Sequence, residues 1–186
     1  GLLANSVATV QQISGGRFVL GLGAGASPNS PFAAERHAIG LSPPAKLADR
    51  HAVLTNALDV MQEMWAPDRR QELAAFPLPN PIPQIIIGAN SVALAKIAGA
   101  RTNGINIRAS HERAGEILAA ARDAHKESGV NKPFTVSVWE HYDEALLRGD
   151  DARLETWRSW GVDRAILLMF KSVDFAAIDR AAKYLR

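Results

Sequence analysis

Cysteine is absent from the 186 residues, which removes disulfides, thiolate metal sites and cysteine nucleophiles together. The absence agrees with a reducing compartment, so a cytoplasmic location is the expectation. Neither sign of charge dominates. Lys and Arg number 21 against 19 Asp and Glu, and a net charge of +2 is too small to imply nucleic acid as a partner. No apolar run is long enough to span a bilayer, and no membrane association is expected. The first residues, Gly1 to Ser14, lack a basic stretch followed by a small-residue cleavage site, so no signal peptide is read there. Repeats, charge blocks, low-complexity tracts and Gly/Ser linkers are missing as well. What remains is a chain with 47% hydrophobic positions, enough to bury a substantial core.

Strand-like and helix-like stretches alternate along this chain. Arg17 to Leu22 (RFVLGL) is a short apolar run bounded by glycine, which reads as a buried strand. From Lys46 to Trp65, Leu47, Leu54, Leu58, Met61 and Trp65 recur at helical spacing, with Pro43 and Pro44 before them and Pro67 after. Ala66 to Pro83 is irregular and proline-rich. Gln84 to Ile87 is the second strand, Ser91 to Arg101 a helix, and Gly104 to Ile107 the third strand. Ser110 is placed as the cap of a helix to Ser128, closed by Gly129. Phe134 to Trp139 is the fourth strand and Ala165 to Phe170 the fifth. Between them runs a helix from Asp150 or Asp151 to Trp160, and Ser172 or Asp174 opens the last helix. Five repetitions of strand and helix imply α/β architecture with parallel βαβ units: a doubly wound sheet or a (β/α) barrel.

Several motifs carry chemistry. Gly21-Leu22-Gly23-Ala24-Gly25-Ala26 satisfies the G-x-G-x-x-G/A pattern of dinucleotide sites, yet Ser27-Pro28-Asn29-Ser30-Pro31 follows where that fold requires a helix. A Rossmann-type NAD(P)-binding protein is therefore disfavoured. The glycines either relax a crowded strand end or expose backbone to a flat ligand. Gly88-Ala89-Asn90-Ser91 joins a strand to a helix. It is either an ordinary turn capped by serine or an anion site at a helix start. The five histidines show no metal-ligand spacing. His51 reads as a packing residue, and His111 and His125 read as solvated positions of one polar helix. The run Trp139-Glu140-His141-Tyr142 ends a strand, where barrel enzymes place their chemistry, and Arg108 and Lys171 stand at equivalent positions. Trp65, Trp157 and Trp160 read as core.

Val7 to Gly25, Leu54 to Trp65, Pro81 to Ala89 and Gly161 to Leu168 together resemble the bacterial luciferase-like monooxygenase family, in the right order over essentially the whole chain. Ser14-Gly15-Gly16-Arg17 leading to Gly25 is the most specific part. The resemblance implies a (β/α)8 TIM barrel, of which residues 1–186 supply about strands four to eight as one domain. It implies FMN or the deazaflavin coenzyme F420 as cofactor, with F420 favoured by the stretch IIIGANSVALAKIAG. Gly23, Gly25 and Ser27 would lie beside the ring, while Gly88, Ala89, Asn90 and Ser91 would hold the cofactor phosphate. The expected activity is hydride transfer or monooxygenation on a small organic substrate by a homodimer, with His141, Glu140 and Arg108 as candidates for substrate contact or proton transfer. The alternative is a non-catalytic cofactor-binding barrel. Asn103-Gly104 replaces the family's common Asp-Gly. Ala24 stands where some sugar-phosphate dehydrogenases of the family carry a glutamate, so no general acid is transferred from them. A complete barrel takes about 250 residues. The chain accordingly reads as a partial view of a longer polypeptide, lacking three βα units ahead of Gly1.

Overall fold

A computed structural model describes residues 1–170 and 172–184, as two compact units that divide along the chain between Gly88 and Ala89. No helix among the described residues is long and apolar enough to cross a membrane.

The first unit opens with α1 (Leu2–Ile13), followed by β1 (Val19–Leu22), a 3₁₀ turn at Pro31–Ala33, α2 (Ala34–Ala38), α3 (Leu47–Trp65), a second 3₁₀ turn at Gln71–Leu73 and β2 (Gln84–Gly88). α1 ends because Gly15 and Gly16 take φ of +61° and +83°, a conformation open to glycine. Gly16 has a second constraint: a Cβ there would lie 2.8 Å from Pro81 Cδ. The buried Gln11 holds this corner together. Its Nε2 donates to Pro81 O at 2.7 Å, and its Oε1 accepts from the Phe18 N–H at 3.0 Å. That network explains why the Ser14-to-Arg17 segment is so distinctive. Ala4, Val7 and Ala8 of α1 and Leu54, Leu58, Met61 and Trp65 of α3 are buried, and Trp65 Nε1 donates to Ala4 O at 3.3 Å. β1 and β2 are parallel, with Val19 opposite Gln84 and Leu22 opposite Ile87.

The second unit contains α4 (Val92–Arg101), β3 (Gly104–Arg108), α5 (Ala114–Glu127), β4 (Thr135–His141), α6 (Glu144–Arg148), α7 (Ala152–Ser159), β5 (Arg164–Leu168) and α8 (Phe175–Ala181). β3, β4 and β5 are parallel and adjacent in chain order. Ile105 and Ile107 are buried on the side of β3 packed by α4 and α5. Asn106 and Arg108 therefore point to the opposite face, since strand side chains alternate. Through the register they share that face with Ser137, Trp139 and His141 of β4, and with Ile166 and Leu168 of β5. Asp143, Asp151 and Asp174 cap α6, α7 and α8 through their carboxylates.

Several sequence expectations need adjustment. α2 and α6 were not foreseen, being one-turn helices too short to show periodicity. α5 starts at Ala114 instead of being capped by Ser110, because the His111 ring Nδ1 accepts from the Arg113 N–H at 3.1 Å and holds the preceding turn. His125 is half-buried rather than solvated. Its ring stacks on Phe134 at 4.8 Å, with nitrogens 3.2 Å from Gly99 O and 3.0 Å from Lys132 O. His51 is packed as expected, but its buried Nε2 has no hydrogen-bond partner among the described residues. Trp65 and Trp157 are core residues, whereas Trp160 is partly exposed over Gly115.

Candidate functional site

Where β1 ends, the backbone becomes irregular from Gly23 to Ser27, and Gly23, Gly25 and Ser27 are exposed. A Cβ built on Gly21, Gly23 or Gly25 would meet nothing within 4 Å. Packing within the chain therefore does not demand glycine at Gly21 and Gly23, whereas Gly25, with φ of +78°, holds a left-handed backbone conformation that favours glycine by itself. Their effect is to leave main chain uncovered at a strand's carboxyl end, as a planar ligand lying on the backbone requires. The next ordered element is the 3₁₀ turn at Pro31–Ala33, whose Ser30 Oγ accepts from the Phe32 N–H at 3.2 Å. No helix opens directly from the glycines, so the pyrophosphate cradle of a dinucleotide fold is not formed there.

β2 leads into Gly88-Ala89-Asn90-Ser91. The Ala89 N–H donates to Asn106 O at 2.9 Å, which ties the loop to β3. Ser91 is the N-cap of α4, its Oγ accepting from the Leu94 N–H at 3.3 Å. Helix geometry leaves the N–H groups of Val92 and Ala93 without intrahelical acceptors. The first turn of α4 carries no acidic residue, and Asn90 is exposed beside it. The uncompensated positive end of a ten-residue helix, with a serine and an asparagine at its mouth, fits a phosphate group.

The carboxyl ends of β3 and β4 bring Arg108 and His141 together on one face, with Glu140 between Trp139 and His141 on the other side of β4. The Arg108 guanidinium lies over the Trp139 ring, 5.3 Å from its centroid, and its Nη2 is 3.5 Å from His141 Nε2, at the outer edge of hydrogen-bonding range. Phe170, just past β5, completes the group, with its ring centroid 4.8 Å from His141 and 6.1 Å from Trp139. Glu140 points to the other side and is only 7% exposed. Burial alone would raise its pKa. The His141 N–H, donating to Oε1 at 2.9 Å, the Ser110 hydroxyl and the nearby Arg108 charge outweigh it and hold the carboxyl below its ordinary value. Glu140 is thus an ionised anchor at neutral pH that fixes the His141 backbone. Lys171 lies outside the described residues.

Beside His141, a cavity of about 360 Å³ is bordered by Tyr142, Leu168, Phe170, Asp174 and Arg180. Tyr142 is anchored at both ends, through its N–H to Leu168 O at 2.9 Å and its hydroxyl to Ala177 O at 3.3 Å. Sequence reasoning did not single out Trp139, Phe170, Tyr142 or Arg180 as functional. Period-two alternation would have put Trp139 on the face of His141. Phe170 and Arg180 become neighbours of His141 only through tertiary folding.

Among solved structures, the chain is similar to an F420-dependent secondary alcohol dehydrogenase in complex with an F420-acetone adduct, at 18% identity and a TM-score of 0.58 over 76% of this chain and 45% of that one. It is also similar to the coenzyme F420-dependent tetrahydromethanopterin reductase of Methanopyrus kandleri, at 16% identity and a TM-score of 0.46, covering 87% of this chain and 56% of that one. The chain spans about half the length of these structures. No curated protein is a significant match. The likeness to the first structure shows the fold: five parallel strands with helices between them, part of a TIM-barrel-like architecture. The family model for luciferase-like monooxygenases matches residues 1–144, from α1 through the strand that carries His141, and the chain accordingly belongs to the luciferase-like monooxygenase family.

Proposed function

We propose that this protein is an oxidoreductase of the luciferase-like family that uses a flavin-type cofactor, F420 in preference to FMN, on a small organic substrate. The reading is carried by family membership over residues 1–144. Two local features support it: uncovered backbone at Gly23 and Gly25, and an acid-free helix start behind Gly88 to Ser91. The preference for F420 rests on the sequence resemblance of the IIIGANSVALAKIAG stretch. The F420-dependent secondary alcohol dehydrogenase named above, to which the chain is similar in fold, agrees with that preference.

When bound, such a cofactor supplies the hydride chemistry, and the protein supplies binding and orientation. Gly23, Gly25 and Ser27 offer main chain to the ring. Gly88, Ala89, Asn90 and Ser91, with the first N–H groups of α4, hold the phosphate. Arg108 and His141 face solvent on one strand face, where they contact the substrate and His141 exchanges a proton with it. Glu140, ionised at neutral pH, keeps the His141 backbone in place and donates no proton itself.

The test is a titration of the purified protein with F420, FMN and NAD, followed by fluorescence. Saturable binding of F420, tighter than that of FMN, and none of NAD is the expected result. Failure of both F420 and FMN to bind defeats the reading, and binding of NAD alone points back to a dinucleotide site. Binding without turnover across a substrate panel leaves a non-catalytic barrel.

A further inference from the structure

Arg108 is exposed, yet its guanidinium is held over Trp139 and against His141 instead of ranging through solvent. No carboxylate among the described residues forms an ion pair with it. The nearest acid along β4, Glu140, accepts from the His141 N–H and the Ser110 hydroxyl, and Arg108 acts on it through charge without forming an ion pair. The guanidinium lies on the Trp139 ring, and Phe170, 62% exposed, packs at a tilt against Trp139 and His141 beside it. An exposed guanidinium in no ion pair, stacked on one aromatic ring with a second aromatic ring packed beside that one, is complementary to one kind of ligand. That ligand has a planar conjugated body and an anionic group of carboxylate type: the body stacks, and the anion takes the planar fork of the arginine.

We infer that the Arg108–Trp139–His141–Phe170 cluster is the substrate subsite and that it selects aromatic or conjugated carboxylates. Arg108 receives the carboxylate, Trp139 and Phe170 hold the ring, and His141 borders the reacting end beside the 360 Å³ cavity. The assignment of this ligand as a substrate rests on the oxidoreductase reading; the binding preference itself does not.

Calorimetric titration with 2-naphthoate, 2-naphthamide and hexanoate separates the components. The wild-type protein should bind 2-naphthoate roughly tenfold or more tightly than either comparison compound, one decade being the effect of about 1.4 kcal/mol. Arg108→Gln should erase the preference over the amide while melting like the wild type, because the position is exposed. Trp139→Leu should erase the preference over hexanoate, and Phe170→Leu, at an exposed position, serves the same purpose if the first variant does not fold. Equal affinities in the wild type overturn the inference, as does a preference that survives Arg108→Gln. Displacement of 2-naphthoate by F420 or FMN also overturns it, since the cluster would then belong to the cofactor. Cofactor binding is measured on the same samples. Loss of probe binding with cofactor binding intact sinks this inference alone. Probe binding without cofactor binding upholds the subsite and sinks the oxidoreductase reading.

Discussion

Gly23 and Glu140 put the proposed function and the stability of the fold to separate tests. The position of Gly23 has room for a methyl group and a φ outside the left-handed region, so Gly23→Ala should leave stability within about 0.5 kcal/mol of wild type. The same methyl group would stand between the backbone and a flat ring, and cofactor affinity should fall roughly tenfold, as read by fluorescence titration. Glu140 behaves in the opposite way. Its folded pKa is lowered, so the stability it contributes is present above the unfolded value of about 4.3 and is lost as pH falls through the folded value. Glu140→Gln should destabilise the protein by roughly 1 kcal/mol at pH 7, and denaturant melts should show the difference closing below pH 4. A constant difference across that range would mean the charge is irrelevant. The candidacy of Glu140 was legible from its place at a strand end. Its charge state was not, because that depends on Ser110 and Arg108, thirty residues back along the chain.

Among the elements, α4 and α5 pack so closely that Gly99 has no room for a side chain. A Cβ there would run into the carbonyl of Ala121 and lie 2.9 Å from His125 N. Gly99→Ala should therefore cost roughly 3 kcal/mol through forced separation of the two helices, measurable by chemical denaturation. The starts of α6 and α7 share one clamp: Arg153 binds Asp143 and holds Asp151, with Nε 2.8 Å from Asp151 Oδ1, while each aspartate also caps its own helix. The hydrogen bond from the Arg153 side chain, together with that from its backbone N–H, lowers the Asp151 pKa to about 2. A lowered folded pKa means that this stabilisation is complete above about pH 4 and disappears as pH falls through 2. Arg153→Ala should lower the melting temperature at pH 7, with the gap from wild type shrinking steadily as pH drops from 4 toward 2. The caps of α7 and α8 were readable to within a pair of candidates each, because capping is a local hydrogen bond within three residues. The structure takes Asp151 over Asp150 and Asp174 over Ser172. The shared arginine was invisible, since nothing local ties Arg153 to Asp143.

For the molecule as a whole, ligand linkage gives the most direct check on the proposed cofactor. A ligand that binds only the folded protein stabilises it by about 2.7 kcal/mol at a hundredfold excess over Kd. For a chain of this size that corresponds to a rise of roughly 5–10 °C in melting temperature. F420 or FMN at such an excess should produce this rise, and NAD should leave the melt unchanged.

Local pattern decided the α/β class with parallel βαβ units, while the choice of a barrel over a doubly wound sheet came from the family resemblance. Short apolar strands alternate with amphipathic or alanine-rich helices, glycine or aspartate marks many of the ends, and each signal spans a few residues of neighbouring chain. The exposed glycines after β1 and the serine-capped loop after β2 belong to the same category, and the motif at Ser14 to Arg17 was visible before Gln11 and Pro81 explained it. Tertiary structure decided the rest. Only the register of β3, β4 and β5 puts Arg108 beside Trp139 and His141 on one face, and only the path after β5 brings Phe170 against them. A strand's own pattern determines which side chains alternate. Which ones meet depends on pairing between segments some thirty residues apart, and a one-residue slip in that pairing would send the same side chains to the other face.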